Sequence, residues 1–226
     1  MALTYKGKAS GTDDGNPAGP VSSGEVNVAV GDLVVVTVTS SDDNTLPNEC
    51  SDTAGNSFTS RDVVNYSSAV RHYWCVATSA DATDVVTCTF TGTGYTYVQI
   101  VVSVYTVDAG DTVSVEDSVT TTIESTNSFD TGDATSTESD TLWICGVSCS
   151  GPRAISNQDI GGAATLVESP DSGRGHQFYV LPGSSQTADA TGDLADSTSG
   201  GVELIVFKSV STPAWTTHEH TTLVFS

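Results

Sequence analysis

His218-Glu219-His220 is the tightest grouping of chemistry-bearing side chains in the sequence. Residues i and i+2 of an extended chain point the same way, so His218 and His220 form a candidate metal pair on one side of a strand. The segment reads equally as the polar part of an interaction arm. Hard oxygens also gather on turns, at Asp13-Asp14-Gly15-Asn16, Asp42-Asp43-Asn44 and Asp130-Thr-Gly-Asp133. This makes Asp13, Asp14, Asp42 and Asp43 candidate ligands for calcium. None of them follows an EF-hand spacing, and Asx-turn hydrogen bonding accounts for the same residues without metal. Glu138, Glu168 and Glu203 can be nominated as glycosidase carboxylates, which must stand at a set separation in a cleft beside aromatic platforms. Nothing in the sequence separates them from solvated surface. No Gly-x-Ser-x-Gly elbow, Walker loop or His-Glu-x-x-His motif is present. A hydrolytic triad has no anchor, and the expectation is a protein that is not an enzyme and holds no cofactor.

The charge explains why so many carboxylates say so little. The chain has 226 residues, with 28 Asp and Glu against seven Lys and Arg, for a formal charge of −21. The acidic residues are scattered through the loops rather than gathered in a tail. Such a surface repels nucleic acid and anionic membrane. It also suits brine, where the Debye length falls from about 10 Å at 0.1 M salt to about 3 Å at 1 M.

The elements that must position these residues are strands. Val26, Val28 and Val30 alternate with polar or small residues, and Gly31-Asp32 turns the chain into a valine-rich run at 33–38. Further strands are expected at 70–77, 84–91, 97–107, 112–123, 141–149, 174–181, 186–190 and 201–210. In the 97–107 strand Val98, Ile100, Val102 and Val104 share a face. No window carries a capped 3.6-residue stripe. The fold class is therefore all-β, an antiparallel two-sheet sandwich, jelly-roll-like, with extended terminal arms. The expected organisation is an N-terminal arm and first strand over 1–24, one sandwich over 25–210, and a C-terminal arm over 211–226. Two halves rhyme within the sandwich, about 25–110 and 135–210, and the Thr/Ser/Asp tract at 120–139 reads as a surface connection between them. The C-terminal arm carries Trp215, Leu223, Val224 and Phe225, which should cover an edge or dock on a neighbour. Trp74 and Trp143 sit in apolar strands and read as core.

Five cysteines are an odd number, which argues against a closed disulfide framework. They read as small buried hydrophobes, with Cys75 and Cys88 able to face one another across a hairpin. The start of the chain shows no apolar h-region, and no stretch is long and apolar enough for a membrane span.

The segment Asp52-Thr-Ala-Gly-Asn-Ser-Phe-Thr59 is followed by Tyr73-Trp74, Val85-Val-Thr-Cys-Thr-Phe90 and Val101-Val-Ser-Val-Tyr105. With the closing strand Val202-Glu-Leu-Ile-Val-Phe207, it resembles a loose set of β-sandwich proteins from tailed-virus virions and prokaryotic surfaces. The chain departs from that pattern after the valine strand, where Val104-Tyr-Thr-Val107 replaces Glu-Tyr-Ser-Gly, and it adds cysteines. The resemblance implies a jelly-roll-like virion or surface module and transfers no catalytic residue. With the acidic surface, it leads to the expectation of a capsid decoration protein, cement or turret, of a tailed virus of a halophile. Such a protein would reside in the virion and bind the major capsid protein or other virion proteins, as a homo-oligomer with a trimer favoured. A carbohydrate-binding or host-adhesion module is the alternative.

Overall fold

The computed structural model describes residues 3–13, 19–41, 46–47, 49–61, 63–90, 97–168 and 174–211. In chain order the strands of the first half are β1 (Thr4–Asp13), β2 (Val21–Ser22), β3 (Val26–Val28), β4 (Leu33–Ser40), β5 (Glu49–Asp52), β6 (Thr59–Ser60), β7 (Val64–Asn65), β8 (Ala69–Val76), β9 (Asp81–Asp84), β10 (Val86–Thr89) and β11 (Val98–Thr106). Those of the second half are β12 (Asp111–Asp130), β13 (Ala134–Thr135), β14 (Thr141–Ser148), β15 (Ile155–Ile160), β16 (Thr165–Glu168), β17 (Gly175–Val180), β18 (Thr187–Ala188) and β19 (Ala190–Ser211). Every pairing is antiparallel. The expected all-β antiparallel sandwich is the fold.

Each half builds one large sheet and covers its outer face with short ladders. The first large sheet runs β1-β11-β4-β8-β6, with β7 also on β8, and the ladders β2-β10-β5 and β3-β9 lie over it. The second runs β12-β19-β14-β17-β16, with β15 on β19, and its cover is β13-β18. Val34, Val36, Val38, Tyr73, Ile100 and Val102 fill the first of these outer cores, against Val21, Val86 and Cys88. Trp143, Cys145, Phe178, Leu204 and Val206 fill the second, against Ala134 and Ala188.

The other faces of the two large sheets pack on each other. Leu33, Val35 and Tyr105 from the first meet Leu142, Ile144, Ile205 and Phe207 from the second in a third core. Strands β4 and β14 are consequently buried along their whole length. A strand covered on both faces reads as a continuous apolar run rather than as alternation. That is why residues 33–38 carry valine at four of six positions.

The two halves repeat each other down to irregularities. In each large sheet the order is first strand, last strand, then the strand that opens the half's apolar run, then the aromatic strand. Register makes the positions equivalent. Val36 faces Tyr73 and Val102, and Cys145 faces Phe178 and Leu204. A β-bulge falls at the same place in both edge strands, between Tyr5 and Gly7 and between Val115 and Asp117. The extra residue is charged each time: Lys6 pairs with Asp32 at 2.6 Å, and Glu116 lies 3.8 Å from Lys208.

The repeat also corrects the expected connection. Residues 120–130, expected as connection, form the second part of β12, hydrogen-bonded to β19. The tract is polar because β12 is an edge strand with no second neighbour in its sheet. Strand β1 is the first strand expected within 1–24, and as an edge it too alternates between exposed and half-buried positions with little apolar content.

Glycine lets the central sheets approach. A Cβ on Gly175 would lie 2.1 Å from Thr39 Oγ1 and 2.6 Å from Gln99 Oε1, whereas one on Gly19 would meet nothing within 4 Å. Overpacking of a filled interior costs about 1–3 kcal/mol. Gly175→Ala is expected to lower stability by that amount and Gly19→Ala to leave it nearly unchanged, as read by equilibrium denaturation in molar KCl. Equal effects of the two would contradict the close stacking.

Candidate functional site

Of the residues singled out as metal ligands, only Asp13 is described. It ends β1, half-buried, opposite Val98. Asp14, Asp42, Asp43, His218 and His220 lie outside the described residues, as do Trp215, Leu223, Val224 and Phe225 of the C-terminal arm. Among the described residues no three His, Cys, Asp or Glu side chains converge as a metal set. No helix of the described residues is long and apolar enough to cross a membrane. Glu138 is exposed, so the three glycosidase nominees do not share an environment.

Among these nominees Glu203 departs from the expectation of solvated surface. It sits on β19 in the seam between the large sheets, 1 % exposed, and meets the imidazole of His72 on β8 at 2.8 Å. Its Oε2 also accepts the backbone N–H of His72 at 3.2 Å. Both partners are sealed by the sheets that carry them. Opposite them Gly146 leaves room, since a Cβ there would stand 3.0 Å from His72 Cε1. The rest of this end of the seam is polar too. Gln177 Nε2 donates to Thr37 Oγ1 at 2.6 Å, and the Ser68 and Ser148 hydroxyls meet at 3.0 Å. A buried hydrogen bond held this way links layers; it reaches no solvent-borne substrate unless the sheets part.

The motif that carried the family resemblance is a second polar network, at one end of the first half. Asp52 accepts from the backbone N–H and the Nδ2 of Asn56, both at 2.7 Å. This closes a turn in which Gly55 takes a φ of +81°, a conformation costly for any residue with a Cβ. The buried Asn56 then reaches across. Its Oδ1 accepts the N–H groups of Thr78 at 2.8 Å and Ser79 at 3.0 Å, and its Nδ2 donates to the Ser79 carbonyl at 3.4 Å. Asp84 fixes the turn from the other side, accepting from Thr53 Oγ1 at 2.8 Å and Ala54 N–H at 3.2 Å. The spacing Asp-x-x-Gly-Asn is therefore a device for tying two loops together, and its polar groups are engaged in doing so.

The cysteines divide. Cys50 on β5 and Cys88 on β10 stand directly opposite in the ladder, with Cα atoms 4.2 Å apart, and are joined by a disulfide. This corrects the expectation that Cys88 would face Cys75. Cys75 lies on β8 in the facing sheet, where β8 pairs with β4, so register puts β5 and not β8 beside Cys88. Closing a loop of 38 residues stabilises the fold by about 4 kcal/mol in the chain-entropy account. Cys75, Cys145 and Cys149 are free and buried, as expected of small hydrophobes. Burial, with the Asp52 and Asp84 charges adding to it, pushes the Cys75 thiol up to about 12. Burial likewise raises Cys149 to about 12 and Cys145 well above the usual thiol range. None of the three is a nucleophile at neutral pH.

The aromatic residues follow the repeat. Trp143 is fully buried and Trp74 is half-buried, both packed rather than presented as platforms. Trp74 meets Phe207 edge-on at 5.7 Å, and the equivalent pair, Tyr179 and Tyr105, does so at 5.5 Å.

Removing one partner of a buried hydrogen bond leaves the other unsatisfied, at a cost of about 1–3 kcal/mol, more for a charged group. Glu203→Ala is expected to destabilise by that amount, and Glu203→Gln by clearly less because an amide oxygen still accepts from His72. Denaturation midpoints of the two variants check this, and equal losses would rule out a hydrogen-bonding role. Thiol titration under non-reducing conditions should find none reactive in the native protein and three after unfolding, the five cysteines less the two in the disulfide. A native-state reactive thiol would contradict the burial. Comparison with protein-family models, with curated proteins and with solved structures finds no match to this chain.

Proposed function

We propose that this chain is a structural virion protein, a capsid decoration component of a tailed virus of a halophilic host, that stabilises the shell through protein–protein contacts. One observation carries this reading. The polar clusters able to do chemistry, His72 with Glu203 and Asp52 with Asn56 and Asp84, are occupied in fastening layers and loops. Acidic side chains meanwhile cover the outside: Glu25, Glu49, Glu124, Asp130, Asp133, Glu138, Asp193 and Asp196 are all exposed. A rigid body with a carboxylate coat suits a scaffold role in concentrated salt, where the coat stays hydrated and its repulsion is screened. The disulfide supports residence outside a reducing cytoplasm.

The partner in this reading is the major capsid protein, approached by a homo-oligomer, with a trimer favoured. Docking is assigned to the sheet edges and to the segment of Trp215, Leu223, Val224 and Phe225. The jelly-roll-like wiring belongs to the same proposal.

The test uses purified protein and shells from virions that lack it. Saturable co-sedimentation is expected at about 1 M salt and should vanish near 0.01 M, where the Debye length reaches about 30 Å and like-charged neighbours repel. Absence of binding at every salt concentration would sink the decoration role. Saturable binding to host polysaccharide in place of shells would favour the adhesion module instead.

A further inference from the structure

Asp52 and Asp84 present a charge problem that the turn network does not solve. Both oxygens of Asp52 are committed to Asn56. Asp84 is wholly buried; its Oδ1 takes the donors from Thr53 and Ala54, and its Oδ2 has no donor at all. Asp52 stands beside it: the donors on Asp84 Oδ1 come from Thr53 and Ala54, the two residues that follow Asp52, and Asp52 faces Val86 in the ladder. A third carboxylate, Asp81 on β9, competes for the same Thr53 hydroxyl at 3.1 Å and draws the Thr83 N–H at 2.9 Å. From β8 the group facing them is the neutral Cys75 thiol, and from the turn between β8 and β9 only Thr78 and Ser79 reach Asn56. Among the described residues no lysine, arginine or histidine bonds to Asp52, Asp81 or Asp84. A buried carboxyl group with an unpaired oxygen, a second carboxyl beside it and no cation bonded to it favours its neutral form. Three carboxyl groups, with both oxygens of Asp52 already taken by Asn56, are also too few to cage calcium, which takes six to eight oxygens.

We propose that Asp52 and Asp84 form an acid pair holding one shared proton, with Asp84 Oδ2 donating it to Asp52, and that this proton locks the Thr53–Asn56 turn onto β9. The loop end of the first half is then a proton-dependent clamp. Burial first, and the Asp52 charge as well, raise Asp84 above the ordinary carboxylate range, in agreement with the geometry. The sign follows. A carboxyl group raised in the folded state stabilises most below its unfolded value of about 3.9, and that stabilisation is lost as pH climbs through the folded value. Acid fastens the clamp and alkali loosens it.

Carboxyl-carbon NMR of the intact protein in molar KCl tests this without any variant. The Asp84 signal should titrate with a midpoint above about 3.9, the ordinary aspartate value. A midpoint at or below that value would overturn the proposal. Amide exchange at Ala54 and Asn56, corrected for intrinsic base catalysis, should speed up about tenfold or more per site as pH rises through that midpoint. Asp84→Asn, a permanently neutral stand-in, should abolish the rise, and Asp52→Asn should move the Asp84 midpoint down. Persistence of the rise in Asp84→Asn would also refute the clamp. So would a shift of both carboxyl signals on adding calcium chloride at neutral pH, because a metal would then hold the pair.

Discussion

Two sheets that each bury both faces must meet across a seam neither can leave. Here the seam is apolar at one end, with Leu33, Val35, Leu142, Ile144, Ile205 and Phe207, and polar at the other, with His72, Glu203, Thr37 and Gln177. The apolar end supplies non-directional attraction. The polar end supplies direction, because a buried donor left without its acceptor costs more than a mispacked methyl group. Sliding one sheet by a residue would take His72 away from Glu203 and push Gly146 and Gly175 out from under the side chains they admit. Everything outside the seam, including the covering ladders and the loops, is hung on the two sheets that it fixes.

The seam also shows how the halves relate. Position by position, Thr37 corresponds to Gly146, His72 to Gln177 and Val101 to Glu203. Trp74 against Phe207 and Tyr179 against Tyr105 are the same contact seen from either side. Equivalent residues thus meet across a pseudo-two-fold arrangement, as the two copies in a symmetric dimer would. The likeness is in backbone and bulk; the polar chemistry has diverged.

Much of this was legible in the chain. The valine-rich strands announce themselves by β-branched content, and the rhyme between residues 33–107 and 141–208 survives in their order. The far part of the edge strand β12, residues 124–130, did not, because an edge that faces water has no reason to be apolar. Nor did the disulfide, since choosing Cys50 over Cys75 as partner of Cys88 needs the register of β5 on β10, which comes from loops elsewhere. The pairing of His72 with Glu203 spans 131 positions. Its signal was present all the same: a histidine and a glutamate inside strands otherwise too apolar to carry them, which is where a lone buried charge must find its mate. The Asp-x-x-Gly-Asn pattern was visible as a motif, but its purpose emerged only when Asn56 was seen to reach the next loop.

The divergence of the seam has a consequence for the molecule in a crowd. If two first halves from different chains stacked as the halves of one chain do, His72 would face Val101, the position that Glu203 fills in the second half. If two second halves did so, Glu203 would face Gln177. The first arrangement strands an imidazole and the second offers the carboxylate an amide in place of it, so only the unlike pairing joins His72 to Glu203. Like halves of neighbouring chains are thereby kept from stacking on one another, and the seam accepts a first half only against a second.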